Sequence, residues 1–265
     1  MQEQDPQFIT AGKTGAERQI AVLHLEGAGA GSGPGLFWLS GFKSDMSGSK
    51  AQALAAFAAR RGCSCTRFDY TGHGQSGGLF EDACVSDWLE DARAAFEQFC
   101  TGPTVLVGSS MGGWIAMLLA LALKETGLIK GIVLIAPAAD FTEELMWKQR
   151  FTGEIRETIL RDGRWQQPSA YSEDPYVITR KLIEDGRNHL ILGRSLEIGC
   201  PVTILQGALD PDVPWQHAVR LAEALPSDDV TFTLIPDGDH RLSRPEDLER
   251  IERAVAALLD EAARR

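Results

Sequence analysis

The chain has 265 residues and a formal net charge of -11 at pH 7. An acidic surface of this kind repels phosphate backbones and anionic lipid, so nucleic acid is not an expected partner. The 44% hydrophobic content suffices for one sizeable core, and no apolar run approaches the roughly 18 residues that a membrane span needs.

The opening MQEQDPQFIT has neither the basic and apolar segments of a signal peptide nor the arginine-rich composition of a transit peptide, so a cytoplasmic location is expected. Short apolar runs then alternate with helical patterns. Residues 17–26 and 36–41 read as strands on either side of the loop GAGAGSGPG. A helix is expected over 50–62, a strand over 63–70 and a helix over 82–100. The run TVLVGSS (104–110) reads as a buried strand, and MGGWIAMLLALALKET (111–126) as a helix apolar nearly all round. GIVLIAPA (131–138) is the next strand. Residues 141–199 contain no convincing strand and are too long for a simple loop; they predict a helical cap inserted in the core. Alternation resumes with a strand over 201–207, a helix over 215–225, a strand over 231–238 and a helix from Pro245 onwards. The pattern predicts an α/β fold, with a mostly parallel central sheet and helices on both faces. The core covers 1–140 and 200–265, with the cap at 141–199.

Five cysteines, Cys63, Cys65, Cys84, Cys100 and Cys200, form no C-x-x-C pair. They are expected to be reduced thiols.

The pattern G-x-S-x-G occurs twice. At Gly108-Ser109-Ser110-Met111-Gly112 it follows an apolar strand and opens a buried helix, the setting a nucleophile elbow requires. Glycines two before and two after the serine remove side chains that the sharp turn would bring into collision. At Gly74-Gln75-Ser76-Gly77-Gly78 no strand precedes and no buried helix follows, so Ser76 reads as a loop serine. Ser110 is the candidate nucleophile. A serine hydroxyl needs an adjacent base. Of His24, His73, His189, His217 and His240, only His240 lies in the loop after the last strand, where the order serine, acid, histidine places the base. The acid belongs after the strand that follows the cap, where Asp210 and Asp212 both qualify. The backbone N–H groups of Met111 and Phe42 are the candidate oxyanion donors. In the cap, Trp147, Phe151, Trp165, Tyr171 and Tyr176 are candidate substrate contacts.

Taken together, the segments LSGFKSDMSGSKA (39–51), RFDYTGHGQSGG (67–78), LVGSSMGGW (106–114), GALDPDVPW (207–215) and DHR (239–241) resemble one branch of the α/β hydrolases. That branch includes the mitochondrial acyl-protein thioesterase of animals, also described as an acyl-glucuronide esterase. The likeness runs from about Leu36 to the C-terminal helix. It implies the α/β-hydrolase fold, assigns the acid to Asp210 and the base to His240, and implies hydrolysis of carboxylic esters or acyl-thioesters through an acyl-enzyme on Ser110. A serine aminopeptidase of the same fold is the alternative, and it would need an acidic or amide-rich anchor for the substrate amine, for which Glu143, Glu144, Glu173 or Asp174 in the cap could serve. A non-enzymatic binding module is a third reading, disfavoured because no member of the triad is missing. No metal-ligand spacing, Walker loop or dinucleotide fingerprint occurs. No cofactor and no metal are expected, and the expected partner is a small-molecule or acyl-thioester substrate. Oligomeric state is not encoded in these patterns.

Overall fold

A computed structural model describes residues 5–28, 33–167, 176–226 and 228–264. Eight strands form the main sheet: β1 (Gln7–Ala11), β2 (Arg18–Leu25), β3 (Gly35–Leu39), β4 (Cys65–Phe68), β5 (Thr104–Ser109), β6 (Ile129–Ile135), β9 (Val202–Gly207) and β10 (Val230–Ile235). Their spatial order is β1-β2-β4-β3-β5-β6-β9-β10. Strand β2 runs antiparallel to both neighbours, and from β4 to β10 all pairs are parallel. Strand β1 is an addition to the sequence reading. Only Ile9 and Ala11 of its QFITA are buried, too short an alternation to stand out from a polar terminus.

Helices α1 (Ser49–Arg61) and α7 (Pro245–Ala262) cover one face, and α2 (Val85–Phe99), α3 (Met111–Leu123) and α6 (Trp215–Glu223) the other. Strands β5 and β6 sit mid-sheet between these layers. Their near-continuous apolar runs suit a sheet buried on both faces. Helix α3 is buried from Met111 to Ala120, as its all-round apolar pattern demands.

Between β6 and β9 the chain leaves the sheet. It forms a π-helical stretch (Thr142–Arg150), α4 (Gly153–Asp162), strands β7 (Arg164–Gln167) and β8 (Tyr176–Thr179), α5 (Arg180–Gly186) and a 3-10 turn. β7 and β8 pair antiparallel in a separate two-stranded sheet. The expectation of no strand in 141–199 therefore needs correction. Each strand has four residues, too few to announce an alternation, and the helix that follows β8 begins only at Arg180. The Thr179 hydroxyl accepts the Leu182 N–H at 3.1 Å and caps that helix.

All five cysteines are buried. Among the described residues no helix is long and apolar enough to cross a membrane.

Candidate active site

In open α/β sheets, ligand sites gather at the carboxyl ends of the parallel strands. Four loops of this chain meet there. Ser110 follows β5, Phe42 follows β3, Asp210 follows β9 and His240 follows β10. The register brings these ends level, pairing Leu39 with Gly108, Ser109 with Ile135, Ile135 with Leu205 and Gly207 with Ile235.

Ser110 has φ 54 and ψ -120, a conformation that costs a non-glycine residue of order 1–3 kcal/mol. The turn is held by Ser110 N–H donating to Ile135 O at 2.9 Å, and by Gly113 and Ala138 N–H both donating to Ser110 O. Two glycines make it sterically possible. A Cβ at Gly108 would lie 2.4 Å from Gly112 O, and one at Gly112 would lie 2.1 Å from Leu39 O. Both obstacles are backbone and have no rotamer to move to. Although Ser110 sits at the N-cap of α3, its side chain makes no capping hydrogen bond.

Its hydroxyl lies instead 3.1 Å from His240 Nε2. His240 Nδ1 is 2.8 Å from Asp210 Oδ2, which requires Nδ1 to carry the proton if the carboxylate accepts. The Asp210 side chain is wholly buried. Its Oδ1 accepts the Asp212 and Val213 N–H groups, both at 2.8 Å, and its Oδ2 also accepts Gln206 Nε2 at 3.1 Å. The Gln206 amide further donates to Gly207 O and Val213 O, so it fastens the carboxylate to the strand end. Asp212 is half-buried and pairs with Arg150 at 3.9 Å. A hydroxyl against an imidazole whose far nitrogen is held by a buried carboxylate is the arrangement that general-base activation of an alcohol requires.

The other histidines are engaged elsewhere. His24 bonds Thr66 at 2.8 Å, His189 bonds Ser86 at 2.7 Å, and His217 donates to Ala139 O at 2.7 Å. Burial pushes the His73 and His217 rings below the usual histidine range, His73 to about 4. Ser76 donates to Asp69 O at 2.6 Å and accepts the Ala21 N–H at 2.8 Å; its hydroxyl is a loop fastener.

A cavity of about 630 Å³ opens over Ser110 and His240. Met111 lines it as the first residue of α3, where the amide has no intrahelical partner. Phe42 lines it from the loop after β3. A Cβ at Gly41 would lie 3.3 Å from Ser110 Cβ, which measures how closely that loop approaches the serine. The apolar wall comprises Phe42, Phe141, Leu145, Met146, Tyr176 and Val213.

Of the aromatic cap residues, Tyr176 lines the cavity and Tyr171 lies outside the described residues. Trp147, Phe151 and Trp165 require correction. Trp147 stacks under Arg187 (4.9 Å) and Arg156 (5.7 Å), and Phe151 packs on Trp165 at 5.5 Å. These three consolidate the cap. Sequence reading overlooked Phe141, Leu145 and Met146, whose helical spacing looked like ordinary packing. It also overlooked Gln206, although an amide closing the apolar run VTIL was a visible signal.

Among the described residues, one group offers three metal-ligand atoms within 4.8 Å of one another, Asp210, Asp212 and His240. The Asp210 oxygens already accept from two backbone amides, the Gln206 amide and the imidazole. That donor set suits a carboxylate orienting a histidine.

Comparison with known proteins agrees with this architecture. The family model for serine aminopeptidase, S33, matches residues 36–247. Human palmitoyl-protein thioesterase ABHD10, mitochondrial, is 32% identical over 232 residues, covering 87% of this chain and 74% of the relative. A crystal structure from Agrobacterium vitis S4 superposes with a TM-score of 0.92 at 45% identity, over 96% of this chain and 98% of the other. Mouse ABHD10 superposes with a TM-score of 0.84 at 30% identity, over 96% and 99%. With its sheet order, its strand–elbow–helix at Ser110 and these likenesses, the chain belongs to the α/β-hydrolases, in the family described as serine aminopeptidase, S33.

Proposed function

We propose that this hydrolase cleaves carboxylic esters or acyl-thioesters through an acyl-enzyme on Ser110. The observation that carries the reading is the hydrogen-bonded series Ser110–His240–Asp210 at the floor of the cavity. His240 Nε2 takes the Ser110 proton as Oγ attacks the acyl carbonyl. Asp210 holds Nδ1–H and stabilises the imidazolium that forms. The N–H groups of Phe42 and Met111 receive the developing oxyanion. Collapse of the tetrahedral intermediate expels an alcohol or thiol, which takes the proton back from His240. Water then enters, again deprotonated by His240, and releases the acid.

The apolar wall supports an apolar acyl chain. ABHD10 is named for palmitoyl-protein substrates, which supports the thioester side of the same reading. The aminopeptidase alternative requires an acidic or amide-rich anchor facing the substrate amine, and the cap carboxylates are the candidates for it. Glu143 pairs with Arg187 at 2.8 Å, and Glu144 with Lys148 at 2.6 Å and Arg220 at 2.9 Å. Neither lines the cavity. Glu173 and Asp174 lie outside the described residues.

A fluorophosphonate followed by peptide mapping tests the nucleophile. Label is expected on Ser110, and label on Ser76 or none on folded protein refutes the assignment. Comparing kcat/KM for matched acyl esters, thioesters and aminoacyl amides tests the class. Esters and thioesters are expected to lead, and a preference for aminoacyl amides would move the assignment to a peptidase.

A further inference from the structure

The segment TGHGQSGG (71–78) takes no part in the mechanism above, yet its histidine is buried beside the oxyanion loop. His73 is 4% exposed and packs edge-on against Tyr70, Phe80 and Trp88. Its Nδ1 lies 3.1 Å from Thr71 O. A carbonyl only accepts, so Nδ1 carries the proton and Nε2 is bare. Bare Nε2 accepts the Lys43 N–H at 3.1 Å.

Lys43 is the residue that needs such an anchor. It has φ 58 without being glycine, which costs of order 1–2 kcal/mol. It is the third residue of a turn closed by Ser44 N–H donating to Gly41 O at 3.1 Å. The Gly41–Phe42 peptide is trans and planar. With its carbonyl turned inward to Ser44, its N–H, the Phe42 amide, points out of the turn. The next peptide donates its N–H to the ring, and that bond ties the turn as a whole to the 69–76 loop. A second tie runs in parallel. Asp69 accepts the Met46 N–H at 2.7 Å and, within its own loop, the Gln75 N–H at 2.8 Å, so the 69–76 loop holds the 41–46 loop at Lys43 and at Met46.

We propose that His73 is a positioning residue for the reaction. By accepting the Lys43 N–H, it pins the 41–44 turn to the 69–76 loop and so fixes where the Phe42 amide sits relative to Ser110. The inference rests on the hydrolase reading given above, because it assigns Phe42 to the oxyanion.

The test compares His73→Leu, which removes the acceptor but keeps an apolar plug, with His73→Gln, whose amide oxygen can reach the Lys43 N–H. An oxyanion donor acts mainly in the transition state, and losing one costs about 10²–10³ in kcat. His73→Leu is expected to lower kcat at least about tenfold with KM within about twofold of wild type, in protein shown to be folded by its thermal melt. His73→Gln is expected to recover most of that loss. Folded His73→Leu with wild-type kcat overturns the proposal, and so does equal impairment of the two variants, which would mark packing alone. Should His73→Leu fail to fold, ¹⁵N spectra of wild-type His73 at neutral pH decide. An unprotonated Nε2 supports the proposal, and a protonated Nε2 overturns it. Wild type serves as the control for the reading beneath. Hydrolysis and labelling of Ser110 by wild type uphold that reading whatever the variants do, and their absence sinks it independently.

Discussion

Replacing Asp210 by Asn changes one atom in a fully specified pocket. Oδ1, which accepts the Asp212 and Val213 amides, is expected to remain the oxygen, since two N–H donors face it. The new NH₂ then falls at the Oδ2 position, against His240 Nδ1 and Gln206 Nε2, 2.8 and 3.1 Å away. Two donors cannot share a hydrogen bond, so His240 must move its proton to Nε2 in order to accept from the amide. Nε2 is then protonated where it has to receive the Ser110 proton. The expected loss in kcat is about 10⁴-fold, equivalent to about 5 kcal/mol of transition-state stabilisation. Part of the pocket can adapt. The Gln206 Oε1 is buried without a hydrogen-bond partner, so a flipped Gln206 amide can accept from the new NH₂. That flip surrenders the bonds to Gly207 O and Val213 O, and a stability loss of about 1–3 kcal/mol is expected. Asp212→Asn weakens a loose, partly exposed pair with Arg150, and that loss is expected to cost at most about 1 kcal/mol. The assay is ester turnover by both variants, alongside urea denaturation. An inactive Asp212→Asn beside an active Asp210→Asn would refute the assignment of the acid.

Gly112→Ala is expected to lose at least ~3 kcal/mol of stability, because the new Cβ meets Leu39 O at 2.1 Å; Gly153→Ala, with nothing within 4 Å of its Cβ, is expected to be neutral or slightly stabilising in the same melt. Gln206→Leu should lower kcat by about tenfold with little change in KM, since Asp210 loses a donor and keeps its place; an unchanged kcat would remove Gln206 from the positioning set. His73 sets a pH dependence of stability. Burial, assisted by the Lys43 charge and opposed by the Thr71 carbonyl and Asp45, holds its ring at about 4 against 6.5 for the free side chain. Between those values the unfolded chain binds a proton that the folded chain does not, so stability falls as pH drops from about 6.5 to about 4, by about 3 kcal/mol for this ring. Denaturation curves of wild type and His73→Gln should differ in slope across that window and run parallel above it; parallel curves throughout would contradict the burial argument.

Much of the scaffold was legible in the residues because each signal was local. An all-apolar β5 followed by Gly108 and Gly112 and an all-round apolar α3 can be read without knowing what lies nearby. The decoy at Ser76 could be told apart by the same neighbours. His240 could be placed by chain order, since parallel strands deliver their following loops to one edge of the sheet. Three things were settled only by tertiary packing. The carboxylate facing His240, which spacing left open between Asp210 and Asp212, depends on the curl of the loop after β9, where Asp210 turns back to accept its own downstream amides. The cavity wall depends on which turn of the cap lies over Ser110, so Phe141, Leu145 and Met146 face it while Trp147 and Phe151 pack away. The short pairs β1–β2 and β7–β8 gain their stability from partners distant in sequence, and four or five residues carry too little periodicity to announce them. Local patterns determine which elements form, whereas the meeting of side chains remote in sequence depends on loop geometry that periodicity does not encode.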